Sequence, residues 1–259
     1  MNVPRPHIEF IQQQSLPWRS GIVPVDGVVT RILSRDEASG AVTMINRYPA
    51  DTAIEQAYAL DIDKEFIVLR GELRINEVSY TKGDYAYMPA GFERRKTIVP
   101  EACDVLTFYE GSTDLPPGEL VERIRTNEVE WGEASDPNVA SASIHRHVLR
   151  PDTAIGERTW LLRLDTDEPY EIRGVERHPC VEEMYLLDGD IHMVTGVMTA
   201  GAYFWRPALV PHGPTGSKSG FTALFRAKEG AFETEWSDLA ESVPWDAPYD
   251  PVLPSTESS

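Results

Sequence analysis

Three side chains in this sequence have the types and spacing to hold a divalent transition metal: His178, then Glu182 four residues later, then His212 past the turn that follows Pro207. Imidazole nitrogens and one carboxylate oxygen suit such an ion, and three protein ligands leave positions open for water or substrate. On a β-strand, residues two apart share a face, so Glu182, Met184 and Leu186 would point together into a barrel interior. Glu183 would turn to the opposite face. His178 would enter from the loop just upstream and His212 from the adjacent hairpin, so that the three converge at one end of the barrel.

The elements that must position them occur twice. DKEFIVLRGEL from Asp63 parallels VEEMYLLDGDI from Val181, and GDYAYMPAGFER from Gly83 parallels GAYFWRPALVPH from Gly201. Gly71 and Gly189, Gly83 and Gly201, and Pro89 and Pro207 are each 118 residues apart. Both copies are rich in β-branched and aromatic residues between closely spaced Gly and Pro, the pattern of an antiparallel sandwich or barrel. The chain reads as an N-terminal copy over 12–112, a connector over 113–131, a C-terminal copy over 132–231 and an acidic, proline-rich tail over 232–259. In the connector, Pro116 and Pro117 would start a helix with Leu120, Val121 and Ile124 on one face. In the tail, Trp236, Trp245 and Tyr249 are expected to pin a partly ordered arm.

The copies differ at the ligand positions. Where the second has His178, Glu182 and His212, the first has Leu60, Lys64 and Arg94. The fold therefore does not require the ligands, and one metal per chain is expected, in the second copy. Lys64 and Arg94 facing each other could hold an anion. The expectation is that they pair with carboxylates and that the first copy is structural.

The order His-x-x-x-Glu, six residues, Gly, then Gly-x-x-x-x-x-Pro, then His resembles the two motifs of the cupin superfamily. RHPCVEEMYLLDG looks most like the cupin domains of zinc-binding anti-sigma factors and related two-cupin proteins. The resemblance implies an all-β fold of two tandem cupin barrels (double-stranded β-helix, or jelly roll) with a short helical connector. The family motif usually begins His-x-His, whereas this chain has Glu176 at the first position. Glu176 is then a fourth ligand, a nearby base, or a plain loop carboxylate. Trp160, Arg163, Tyr185, Tyr203, Trp205 and Cys180 are the candidates for a substrate pocket. The resemblance implies a metal-dependent enzyme, foremost a non-haem iron(II) dioxygenase on a small organic substrate. Manganese, nickel, copper or zinc in the same ligands would favour isomerisation or hydrolysis instead. A non-catalytic module that senses a small molecule is the other reading, weakened because no N-terminal Cys/His cluster accompanies the barrels.

The other histidines are read as bystanders. His145 and His147 would share one face of an edge strand or interface, and His192, three residues after Gly189 on the strand following the turn, could approach the site but is read as a surface or core residue. A net charge of −18 argues against nucleic acid and anionic membranes. No apolar run reaches the ~18 residues of a membrane span. Cys103 and Cys180 make no disulfide framework, so a cytoplasmic, reducing compartment is expected. The two barrels are expected to pack against each other within the chain, giving a monomer, with a homodimer as the alternative.

Overall fold

The structure, a computed structural model, describes residues 5–111, 118–133, 143–151, 158–237 and 242–249. Among these, the paired strands all run antiparallel and the helical content is a single 3-10 turn, Gln13–Ser15. No helix among the described residues is long and apolar enough to cross a membrane. The chain forms two compact units, Met1–Pro6 with Leu16–Val129 and His7–Ser15 with Glu130–Ser259.

The second unit orders its main sheet Ile8–Gln12, Ala202–Arg206, Val181–Met193, Phe221–Lys228, Arg158–Leu164, Ile144–Pro151, Gly132–Glu133. The first unit orders its own Val121–Arg125, Asp84–Met88, Lys64–Ile75, Thr97–Tyr109, Val42–Tyr48, Val29–Arg35, Arg19–Ser20. The two orders correspond strand for strand. Their cores correspond too: Met184, Leu186, Phe204 and Ala223 pack inside the second unit, and Phe66, Val68, Ala86 and Val105 inside the first. Each large apolar side chain buried this way contributes roughly 1.5–3 kcal/mol.

The helix expected in the connector is not formed. Val121–Arg125 is a strand on Asp84–Met88, with Val121 opposite Tyr87 and Ile124 opposite Tyr85. A short isolated helix has little stability of its own. The open edge of a sheet offers partners to the N–H and C=O groups that face it, and that tertiary contact overrides the helical spacing. Pro116 and Pro117 lie outside the described residues. Ile8–Gln12 does the same on Ala202–Arg206, with Ile8 opposite Trp205 and Ile11 opposite Tyr203. The strand before the first copy thus belongs to the second unit, and the strand before the second copy to the first.

The described part of the acidic segment after 231 is ordered, contrary to its tail-like composition. Glu235–Ser237 pairs with Val175–Arg177. Tyr249 stacks on Phe10 at 4.6 Å and its hydroxyl accepts a hydrogen bond from the Gln12 N–H. Trp245 packs edge-on against His192, and Trp236 lies over Gly174, where a Cβ would come within 2.4 Å of its ring. Buried aromatic area outweighs the acidic composition here.

Candidate metal centre

Strand alternation decides which side chains meet. Antiparallel pairing puts Glu182 opposite Arg206 and Met184 opposite Phe204, so these four share the inner face. Met184 also pairs with Phe225, which pairs with Trp160, carrying that face across the sheet. Tyr185, Tyr203, Trp205 and Glu183 fall on the other face by the same parity. There Glu183 accepts hydrogen bonds from the Tyr203 hydroxyl and Arg226, all three buried.

A backbone bridge holds two of the site residues side by side: Glu176 N–H donates to His212 O, and His212 N–H donates to Glu176 O. His178 follows the strand that carries Glu176. Ligand atoms of Glu176, His178 and His212 lie within 4.8 Å of one another. His212 Nε2 is 3.4 Å from Glu176 and 3.6 Å from Glu182, and His178 Nε2 is 3.9 Å from Glu182. The four residues named from the sequence are therefore gathered in one place. Both imidazoles are pinned from behind, His178 Nδ1 by Glu233 O at 2.9 Å and His212 Nδ1 by Val210 O at 3.1 Å. A carbonyl can only accept, so each Nδ1–H donates to it and each Nε2 is the nitrogen turned toward the cluster.

Glu182 has a second partner that the sequence reading missed. Arg206 Nη1 donates to its Oε2 at 2.9 Å, with both side chains buried. Burial pushes the Glu182 carboxyl up, but the charges of His212, Arg206 and His178 and the Arg206 hydrogen bond outweigh it and hold it below the ordinary carboxylate value. Arg206 also lies 3.8 Å over the Phe204 ring, which fixes its plane. The signal for Arg206 was the register of its strand against Glu182, and register is not visible in one strand alone.

The cluster opens into a cavity of about 510 Å³ lined by Trp160, Leu162, Phe204, Phe221, Phe225 and Phe232, among other apolar side chains. Arg146 also lines it. This arginine sits between His145 and His147, and if the rings face out the residue between them faces in. Of the pocket candidates named from the sequence, Trp160 lines the cavity; Arg163, Tyr185, Tyr203, Trp205 and Cys180 do not. Arg163 points the other way, to Asp165 at 2.7 Å and over the Trp131 ring. Cys180 is buried in the core, and burial, with the Glu182 charge adding to it, pushes its thiol up to about 11. It is a neutral packing residue. His192 is held by Trp245 O and Asp190, away from the cluster.

The first unit repeats the backbone device with different side chains. Tyr58 and Arg94 form the same two-way bridge, and Lys64 stands opposite Met88 where Glu182 faces Arg206. The expectation that Lys64 and Arg94 pair with carboxylates is corrected: both are buried, and among the described residues neither has a carboxylate at ion-pair distance. Burial first, and the Arg94 charge second, push the Lys64 ammonium down from 10.5 to about 7. Between those values the unfolded chain holds a proton that the folded chain has released, so this group makes stability rise with pH across that window. Lys64→Met should therefore stabilise the chain at pH 6.5 by about 1–3 kcal/mol and flatten the rise toward pH 9. Urea denaturation at the two pH values reads both effects, and a destabilised variant with the slope unchanged would contradict it.

Two duplicated antiparallel barrels, one holding buried imidazoles and carboxylates, define a two-cupin protein. The chain belongs to the ChrR cupin-like domain family, which matches residues 7–114 and again 121–233. Among solved structures, it is similar to a candidate dioxygenase from Nostoc punctiforme PCC 73102, at 18% identity and TM-score 0.79 over 92% of this chain and 91% of that one. It is similar to the protein YlbA from E. coli, at 16% identity and TM-score 0.62 over 88% of this chain and 93% of that one. It is also similar to a variant of the oxalate decarboxylase from Bacillus subtilis, at 14% identity and TM-score 0.59, over 88% of this chain and 78% of that one. At these identities the likeness is one of fold. No curated protein sequence matches the chain.

Proposed function

We propose that the second unit is the centre of a metal-dependent dioxygenase acting on a small, largely apolar organic substrate. The observation that supports this reading is the convergence of the two backbone-pinned Nε2 atoms and the Glu176 carboxylate on one point beside the apolar cavity. That donor set fits a divalent transition metal, with iron(II) favoured: His178, His212 and Glu176 would hold it, and Glu182 is close enough to join them. Bound there, iron(II) would supply coordination sites for substrate and dioxygen together. The remaining work falls to the chain. Arg206 keeps Glu182 ionised and fixed in place. The backbone carbonyls of Glu233 and Val210 keep the imidazoles in the ligating tautomer. The walls formed by Trp160, Phe204, Phe225 and Phe232 exclude water and grip an apolar substrate body. Arg146 offers a positive group within the cavity to orient a polar end of the substrate.

The test is oxygen consumption by the iron-loaded chain against a panel of diketones, phenols and thiols. Stoichiometric oxygen uptake with one class, with the product carrying that oxygen, is the expected result. Turnover with manganese or zinc and no oxygen uptake with iron would replace the dioxygenase by an isomerase or hydrolase. Metal and ligand binding without turnover of any kind would leave the sensing module.

A further inference from the structure

Lys64 and Arg94 are 5% and 1% exposed, and they stand at the positions that Glu182 and His212 occupy in the second unit. Each buried ion costs several kcal/mol of desolvation when it lacks a counter-charge. What the described residues offer in return is small. The Lys64 ammonium lies 5.2 Å from the Phe66 ring and 5.8 Å from that of Tyr109, and the Arg94 guanidinium 5.7 Å from Tyr58 and 5.6 Å from Phe92. Such contacts are worth about 0.5–2 kcal/mol each. Two like charges side by side add repulsion, which an anion bound beside them would offset.

The unsatisfied atoms identify the anion's shape. Arg94 Nη1 donates to Phe92 O at 3.1 Å, while its Nε and Nη2 are buried without a partner. Nε–H and Nη2–H form one straight edge of the guanidinium. It is the same edge with which Arg47 grips both oxygens of Asp104, at 2.7 and 2.8 Å. That geometry matches a carboxylate bidentately. The surrounding rings, half-buried Tyr58, Phe92 and Tyr109, suit an apolar or aromatic body on the acid. We propose that the first unit binds a small organic carboxylate through the Nε–Nη2 edge of Arg94 and the ammonium of Lys64, in the place the second unit gives to its imidazole–carboxylate cluster.

Benzoate and acetate are the probes, titrated calorimetrically into the full chain at constant ionic strength, with thermal unfolding followed in parallel. Wild type should bind benzoate at one site more tightly than acetate and melt at higher temperature in its presence. Arg94→Leu and Arg94→Lys should each weaken that site about tenfold or more, the second because it keeps the charge and loses the fork. His212→Ala should leave it intact, which separates this site from the second unit. Lys64→Met, which relieves a buried charge, keeps the test open if the Arg94 variants do not fold, and it too should weaken benzoate about tenfold. Equal binding by wild type and the variants overturns the proposal. So does silence toward both carboxylates at millimolar concentration, binding of phosphate in preference to either, or loss of the benzoate site in His212→Ala.

Discussion

Chain purified from iron-supplemented cells is expected to carry about one metal ion, and the His212→Ala variant essentially none. The expectation follows from the geometry. His212 Nε2 lies within reach of both Glu176 and Glu182, and His178 reaches Glu182, so His212 is the residue common to both carboxylates. Removing it leaves one imidazole and two mutually repelling carboxylates. Even outer partners of metal ligands typically cost about 10–100-fold in affinity when lost, and a direct ligand costs more. The His212–Glu176 bridge is made by backbone atoms and survives the substitution, so the variant should fold. Elemental analysis settles it: two ions per chain, or one ion retained by His212→Ala, would sink the assignment.

Gly189→Ala should destabilise the second unit by roughly 3–5 kcal/mol, far more than an ordinary glycine-to-alanine change. Gly189 has φ +83°, and a Cβ there would sit 2.0 Å from Gly220 O and 2.7 Å from Phe221 Cα. Both obstacles are backbone of the neighbouring strand and cannot swing aside. The pairing slips between Leu186 and Asp188, just before the glycine, which bends the long strand and brings the two strands this close. Gly71 shows the same construction, with φ +78°, Ala102 O 2.2 Å from its would-be Cβ and a slip between Val68 and Arg70. Gly71→Ala should act on the first unit. Hydrogen exchange along Val181–Met193 and Lys64–Ile75 distinguishes the two, and wild-type protection in Gly189→Ala would show that the strands are not so close.

That glycine also shows what could be read in advance and why. A residue forced by backbone contact recurs at fixed spacing, so Gly71, Gly189 and their neighbouring prolines betrayed the duplication and the barrel. The cluster was legible for a related reason, since His178, Glu182 and His212 appear in one copy and not at the matching positions of the other. Which face a side chain takes was harder to see. Tyr203 and Phe204 look alike in a sequence, and a partner strand's register decides that Phe204 lines the cavity while Tyr203 binds Glu183. Arg206 and Arg146 went unnoticed on the same account. The connector failed differently: Leu120, Val121 and Ile124 do have helical spacing, but the edge of Asp84–Met88 was waiting for a strand.

The strand Ile8–Gln12 sets an order on how this molecule comes into being. It leaves the ribosome well before Ala202–Arg206, its one sheet neighbour among the described residues, so it must wait for that strand while most of the chain is made. The first unit has its edge strand, Val121–Arg125, in hand as soon as that stretch is synthesised, and can close during translation. The second cannot finish until the nascent N-terminal arm returns to it. A chaperone or protease meeting the half-made protein would therefore find a closed first barrel and a loose strand ahead of it. A gene split between the copies would strand that arm on the wrong product.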